Sequence, residues 1–374
     1  MTGHAVAAQA AVAGQADKGT VKRGGRTAAW SAAGSGAAVA VLAYLPFAVF
    51  TSTTQTILTF FELVTLASMW NLLAGYAGLV SVGQQAYIGL GAYAVLAFSD
   101  WGVQPFLGVL LAALACAAIA LPTSLLAFRL RGDYFAVGTW VIAEVYHVAV
   151  TRDNSLGGGS GRALTTLSGL DPTLRDAITY WVGLGVAVAS VAGCYLLLRG
   201  RLGLALTAVR DNEVAAGSAG VDVTRAKRVV YLIAAAGTGA AGAVVLVSQL
   251  NVNPDSIFDV RWTAEMIFIT VIGGIGTIEG PVLGAVLYTV VQRVFSGAGV
   301  WYLILLGSAA VAAAVWLPRG LWGLASSGRL RLSLFPIGYT VVPGRGAVDA
   351  AGFSRSGPGP RSPTRQGPDP ESSG

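Results

Sequence analysis

The chain has 374 residues, of which 54% are hydrophobic and only 11% charged, and its formal net charge is +6. Soluble domains carry roughly a quarter charged residues, so this composition excludes a water-soluble globule and predicts an all-α, polytopic membrane protein. The two cysteines, Cys116 and Cys194, and the two histidines, His4 and His147, are too few and too scattered for a disulfide framework, a metal cluster or an HExxH site, and no cofactor is expected.

Residues 1–28 are rich in Ala and Gly and carry Lys18, Lys22, Arg23 and Arg26; they read as a flexible segment. A basic start before an apolar run also marks cleaved signal peptides, but the run over 29–50 is of membrane length, which favours a retained first span. Apolar runs separated by polar breaks predict about ten crossings. They lie near 29–50, 55–73, 83–98, 105–128, 133–150, 178–198, 229–250, 263–273, 281–295 and 300–317, within a transmembrane region over 29–328. The eighth and ninth are short and joined by GGIGTIEG, the pattern of broken or half-helices. From 329 to 374 the chain is rich in Gly, Pro, Ser and Arg and is expected to be disordered.

Placing the N-terminus in the cytoplasm puts the early lysines and arginines, Arg129, Arg131, the six basic residues of 199–228 and the basic C-terminal tail on the inner side. Only Arg152, Arg162, Arg175 and Arg261 fall in outer loops, as the positive-inside rule requires. The net positive charge is then a cytoplasmic-face signature and not a nucleic-acid footprint.

The stretch 199–228 is the longest polar loop between spans. Asp211 is expected to cap a short helix with Glu213 in its first turn, and Gly220 to stop it. Between them Val214, Ala215, Ala216 and Ala219 would form a small, smooth face. Two readings stand: a solvated loop helix, or a docking helix that receives force from a cytoplasmic partner.

Other polar or glycine-rich features have bland readings beside functional ones. GTGAAG (237–242) matches the dinucleotide fingerprint, but it sits inside an uncharged span. There Ala234, Thr238 and Gly242, with Ala235, Gly239 and Ala243, predict a helix–helix contact face. Glu62, Glu144 and Glu265 lie in or near spans, where charged groups face protein or water. Glu144 and Glu265 are expected to hold two helices together by buried hydrogen bonds, with a place at the outer interface as a second reading for Glu265; for Glu62, polar lining and such a bond stand equal. Asn71, Gln84 and Gln85 flank the break at GYAGLVSVG. They either line a path for a small zwitterion or satisfy backbone groups freed by the break.

Four stretches carry a resemblance: NLLAGYAGLVSVGQQAYIGLGAYA (71–94), RGDYFAVGTWVIAEV (131–145), GLALTAVRDNEVAAGSAGVDVTRAKRVVYLIAAAGTGAAGAV (203–244) and VIGGIGTIEGPVLGAVLY (271–288). In this order they resemble the permease subunits of branched-chain amino acid ABC importers, most closely the M-type subunit. Ala215, Ala216 and Gly220 match the Ala-Ala-x-x-x-Gly core of that family's cytoplasmic loop. Glu213 sits one position early because Val214 intervenes. Gln85 and Glu279 depart from the residues common in the family. The outer-loop sequence NSLGGGSG is similar to its Thr-Gly-Gly loop.

The resemblance implies a subunit that works with two ABC ATPase subunits, a second related permease, an extracytoplasmic solute-binding protein and the lipid bilayer. It implies a bacterial inner-membrane location with both termini cytoplasmic. Arg210, Asp211, Glu213, Ala215, Ala216 and Gly220 would couple to the ATPase. Cargo alternatives are urea, short amides or another small polar solute; a stand-alone transporter or channel is more distant. The chain has no G-x-x-x-x-G-K-[ST], and none of Lys18, Lys22 and Lys227 follows a glycine. An enzyme reading fails for want of a nucleophile, a metal cluster or a carboxylate pair.

Overall fold

The computed structural model describes residues 20–22, 26–47, 51–130, 132–295, 320–327 and 340–342, with isolated positions between 304 and 315. It divides into two compact units. In the unit formed by Met1–Ala29 and Gly338–Gly374, Thr20–Lys22 pairs antiparallel with Thr340–Val342. The expectation of disordered tails otherwise falls on residues outside the described set.

The other unit, Trp30–Ile337, holds the helical bundle. Its long helices are α1 (Arg26–Tyr44), α2 (Thr51–Asn71, prolonged by a π-turn over Leu72–Tyr76), α3 (Gln85–Asp100), α4 (Pro105–Ala127), α5 (Asp133–Arg152) and α6 (Pro172–Arg199). Two short helices follow, α7 (Arg201–Asp211) and α8 (Glu213–Ser218). Then come α9 (Val223–Gln249), α10 (Pro254–Ile257), α11 (Arg261–Gly273), α12 (Glu279–Phe295) and α13 (Gly320–Ser327). The predicted spans from 29–50 to 281–295 coincide with α1–α6, α9, α11 and α12, and the all-α expectation holds. The predicted span at 300–317 lies largely outside the described residues.

Among the described residues five stretches are long and apolar enough to cross a membrane: Thr53–Tyr76, Pro105–Ala127, Asp133–Arg152, Pro172–Arg199 and Val223–Gln249. By contrast α11 has 13 residues, about 20 Å, too short for a hydrocarbon core of about 30 Å. It behaves as the expected half-helix. Helices α6 and α9 start well before their apolar runs because Asp171 and Asp222 cap them in polar sequence. The Asp171 carboxylate accepts from the amides of Thr173 (2.9 Å) and Leu174 (3.1 Å), and Asp222 from that of Arg225 (2.9 Å).

The bundle is organised around α9, which packs against α2, α3, α4 and α6. The small residues of its dinucleotide-like motif make this possible. A Cβ on Gly242 would lie 2.0 Å from the Ile88 carbonyl oxygen, and one on Gly91 would lie 2.0 Å from that of Gly239. The α3 and α9 backbones therefore touch, and Ala234, Ala235, Thr238 and Ala243 are fully buried along the seam. The packing reading of GTGAAG is correct. Helix α9 has 27 residues, so it runs about 40 Å from the α7–α8 end of the bundle to the opposite end.

Candidate functional site

The α7–α8 end is built by local capping. Asn212 is extended (φ −159°, ψ 107°), which separates the two helices, and its side-chain oxygen accepts from the Ala215 amide at 3.0 Å. The cap of α8 is thus Asn212 and not Asp211, which closes α7 instead. Two adjacent residues of cap type stood in the sequence, and only the backbone turn decides between them. Gly220, at φ +87°, ends α8 as expected; the Val221 amide donates to the Ala216 carbonyl at 3.1 Å, a Schellman-type stop.

Burial corrects the predicted smooth face. Ala216 is buried against the chain itself, whereas Val214, Ala215, Gly217, Ser218 and Ala219 are exposed, Val214 at 80%. The charges are also divided. Glu213 bonds Lys227 at the start of α9 (2.6 Å), a partner the sequence reading missed. Arg210 reaches Asp211 through Nε (3.2 Å) and turns its Nη1 into the bundle. Asp211 and Glu213 both remain largely outside, their side chains 69% and 59% exposed.

Arg210 connects this end to the first helix break. Gly75 lies in the last turn of the π-segment, where carbonyls have no partner farther along the helix. Arg210 Nη1 donates to the Gly75 oxygen at 2.8 Å. Asn71, one turn earlier, clamps the second break. Its Nδ2 donates to the Thr277 oxygen (2.7 Å), and its Oδ1 accepts from the Gly276 amide (2.8 Å). Gly276 is left-handed at φ +76° in the turn between α11 and α12. A Cβ on Gly75 would come within 2.6 Å of the Gly276 nitrogen. Arg210, Gly75, Asn71 and Gly276 therefore tie α7, the end of α2 and the α11–α12 turn into one hydrogen-bonded unit.

The other predicted path residues are enclosed. Gln84 Oε1 accepts from Thr238 Oγ1 at 3.3 Å, and Gln85 Oε1 accepts from Thr263 Oγ1 at 2.5 Å. Neither serves the freed backbone. That task falls to Trp70, whose Nε1 donates to the Ser81 oxygen, and to Thr139 and Thr263, whose hydroxyls accept from the Val82 and Gln85 amides. Glu62 lies apart, 6% exposed, at mid-depth in α2 and toward the opposite end, with Ser248 Oγ 3.4 Å away.

At that opposite end Glu144 and Glu265 depart from expectation. Glu144 is exposed and meets His147 on its own helix (3.2 Å), while His147 bridges to Asp255 of α10 (3.1 Å). Glu265 is buried but pairs with Arg261 one turn back on α11 (2.8 Å). Neither carboxylate joins two helices, since each finds a partner at i±3 or i±4. Next to NSLGGGSG the chain is held in place: Arg162–Ala163 pairs with Asn251–Val252, and Arg162 forms a bidentate bridge to Asp100 (2.6 and 2.7 Å). The hydrogen bonds to Asp100 raise the guanidinium pKa, and those from Ser155 hold the Asp153 carboxyl below its usual range. Among the described residues no cluster of His, Cys, Asp and Glu is arranged to hold a metal.

Comparison with known proteins identifies the family. The family described as branched-chain amino acid transport system / permease component matches residues 52–317. The high-affinity branched-chain amino acid transport system permease protein LivM of Salmonella typhimurium is 30% identical over 278 residues, 67% of this chain and 65% of its own length. The Escherichia coli protein of the same name is 29% identical over 283 residues, again 67% and 65%. A probable branched-chain amino acid transport permease protein of Methanocaldococcus jannaschii is 25% identical over 166 residues, 44% of this chain and 48% of its own. The chain thus spans just under two thirds of the length of the two LivM relatives. No solved structure matches it.

Proposed function

The chain belongs to the branched-chain amino acid transport permease family, and from that premise we propose that it is the transmembrane subunit of an ATP-driven importer for branched-chain amino acids. The observation that carries this reading is the connection from an exposed α8 face, through Arg210, to two helix breaks. Hydrolysis takes place on two separate ATPase subunits that grip α8 from the cytoplasm. A second, related permease completes the path, and an extracytoplasmic binding protein delivers the solute. The protein sits in a bacterial inner membrane with both termini and α8 cytoplasmic. It needs no cofactor and contacts no nucleic acid.

The work stroke follows from rigidity. Closure of the ATPases displaces α8, and α7 moves with it because Gly203, Leu206 and Val209 anchor one of its faces in the bundle. The Arg210 bond carries that motion to Gly75 at the end of α2. Asn71 passes it to the α11–α12 turn, so two breaks respond to one push. Breaks are where a helix bends at least cost, since their hydrogen bonds are already interrupted.

Gly217→Trp and Ala215→Arg test the reading. Both positions are exposed, and a side chain at Gly217 meets open space, so the fold is kept. Each variant is expected to lose ATPase co-purification and leucine uptake in a cell lacking the native gene. Full retention of both would refute the coupling role. Uptake of urea in place of leucine would refute the cargo.

A further inference from the structure

A polar cavity of about 300 Å³ lies between α2, α6 and α9, at the end of the bundle opposite α7 and α8. Thr54, Thr59, Glu62, Asp176, Thr179 and Ser248 line it, and Leu58 is the one apolar side chain on its wall. Such a lining is unusual inside an apolar bundle, where buried polar groups are costly unless satisfied. Glu62 forms the floor at mid-depth in α2. It is 6% exposed, and the hydrogen bond given to its carboxylate is the long one from Ser248 Oγ at 3.4 Å. The second acid, Asp176, is already neutralised by Arg175, whose Nε and Nη2 reach it at 3.2 and 3.1 Å. Among the described residues no cationic side chain lines the cavity. An enclosed carboxylate with one weak hydroxyl donor lacks the charged partner that burial of an anion demands.

We propose that this cavity is a binding site for the primary ammonium group of a small amino acid, with the Glu62 carboxylate as its counter-ion and the Thr54 and Thr179 hydroxyls around it. The inference rests on the importer reading and deepens it. With Leu58 the one apolar side chain on its wall, the cavity reads the ammonium end of the solute and not its branched side chain. One site therefore accepts leucine, isoleucine and valine alike. Urea and neutral amides, which lack the charge, are disfavoured there. In the proposed orientation the cavity lies toward the end where a solute delivered from outside would arrive.

The test uses the assembled complex in detergent, so that both faces are accessible. Cys116 and Cys194 are buried, so a cysteine introduced at exposed Thr59 is the reactive thiol. Its alkylation is measured with leucine, with 3-methylbutylamine, which keeps the ammonium, and with 4-methylpentanoate, which keeps only the carboxylate. Leucine and the amine are expected to protect the thiol and the acid is not. Adding Glu62→Gln is expected to raise the protecting concentration of the amine by roughly tenfold or more, as loss of a charge-assisted bond implies. Equal protection by the acid, no protection by any probe, or protection by the amine that Glu62→Gln leaves unchanged would overturn the proposal. Leucine uptake by the Thr59→Cys protein separates the two readings. Intact uptake without protection refutes the cavity alone, and protection without ATP-dependent uptake refutes the importer alone. Ser248→Ala, a milder change on the same carboxylate, is expected to weaken protection less than Glu62→Gln.

Discussion

At the scale of single residues, Arg210 carries more of the account than any other side chain. Its stem lies against Gly78, its Nη1 holds the Gly75 carbonyl, and its guanidinium approaches Gly276. A hydrogen bond from a charged donor is worth about 1.5–3 kcal/mol, enough to set the position of a break but not to hold the bundle together. Arg210→Ala is therefore expected to leave expression and ATPase docking in place while lowering the number of leucine molecules moved per ATP hydrolysed, by about tenfold at the lower end of that energy. Arg210→Lys keeps the charge but not the planar fork and should recover only part of the coupling. A variant that hydrolyses ATP and transports at the native ratio would show that the stroke takes another route.

Among elements, the contact of α3 with α9 is the least tolerant of change. Gly242→Leu would drive a side chain into the Ile88 carbonyl, and the α3 backbone cannot withdraw while Gly91 faces Gly239. A loss of about 3 kcal/mol or more is expected. Gly185→Leu on α6 is the control, because a Cβ there meets nothing within 4 Å. Thermal melting in detergent should separate the two variants clearly; equal melting would show that the helices are not in backbone contact.

The same elements show what could be read from the sequence. Hydropathy located α1–α6, α9, α11 and α12 because a bilayer selects long apolar runs, and the small-residue spacing of α9 foretold its seam. Capped polar turns were invisible to that criterion, so α6 and α9 began earlier than expected. Long-range partners were also out of reach. Nothing local in RDNE tells that Arg210 turns inward, that Asn212 caps, or that Glu213 meets Lys227, because the chain must fold back before these pairs exist. The buried cavity at Glu62 was legible only as one acid in an apolar run; Asp176, Thr179 and Ser248 come to it from two other helices.

For the whole molecule, the distribution of surface matters most. Leu107, Leu110, Leu114, Leu121 and Leu125 of α4 and Val137, Val141, Val145 and Val148 of α5 are all exposed. A soluble monomer cannot sustain such a surface, whereas in hydrocarbon it carries no penalty. The charged pairs gather instead at the two ends, with Arg210, Asp211, Glu213 and Lys227 at one and Asp100, Arg162 and the His147 bridge at the other. Helix α9, about 40 Å long, spans the distance between them. This is the form of a membrane-embedded permease; under the proposed function one end receives solute and the other is gripped by the ATPases. Its central claim is that the energy for transport comes from outside the chain. Purified protein sealed in lipid vesicles tests this most directly, with labelled leucine outside. Leucine is expected to accumulate against its gradient only when the second permease, the ATPases, the binding protein and ATP are all supplied, and not at all with this chain alone. Uphill accumulation by the isolated chain, with no ATPase present, would contradict the account.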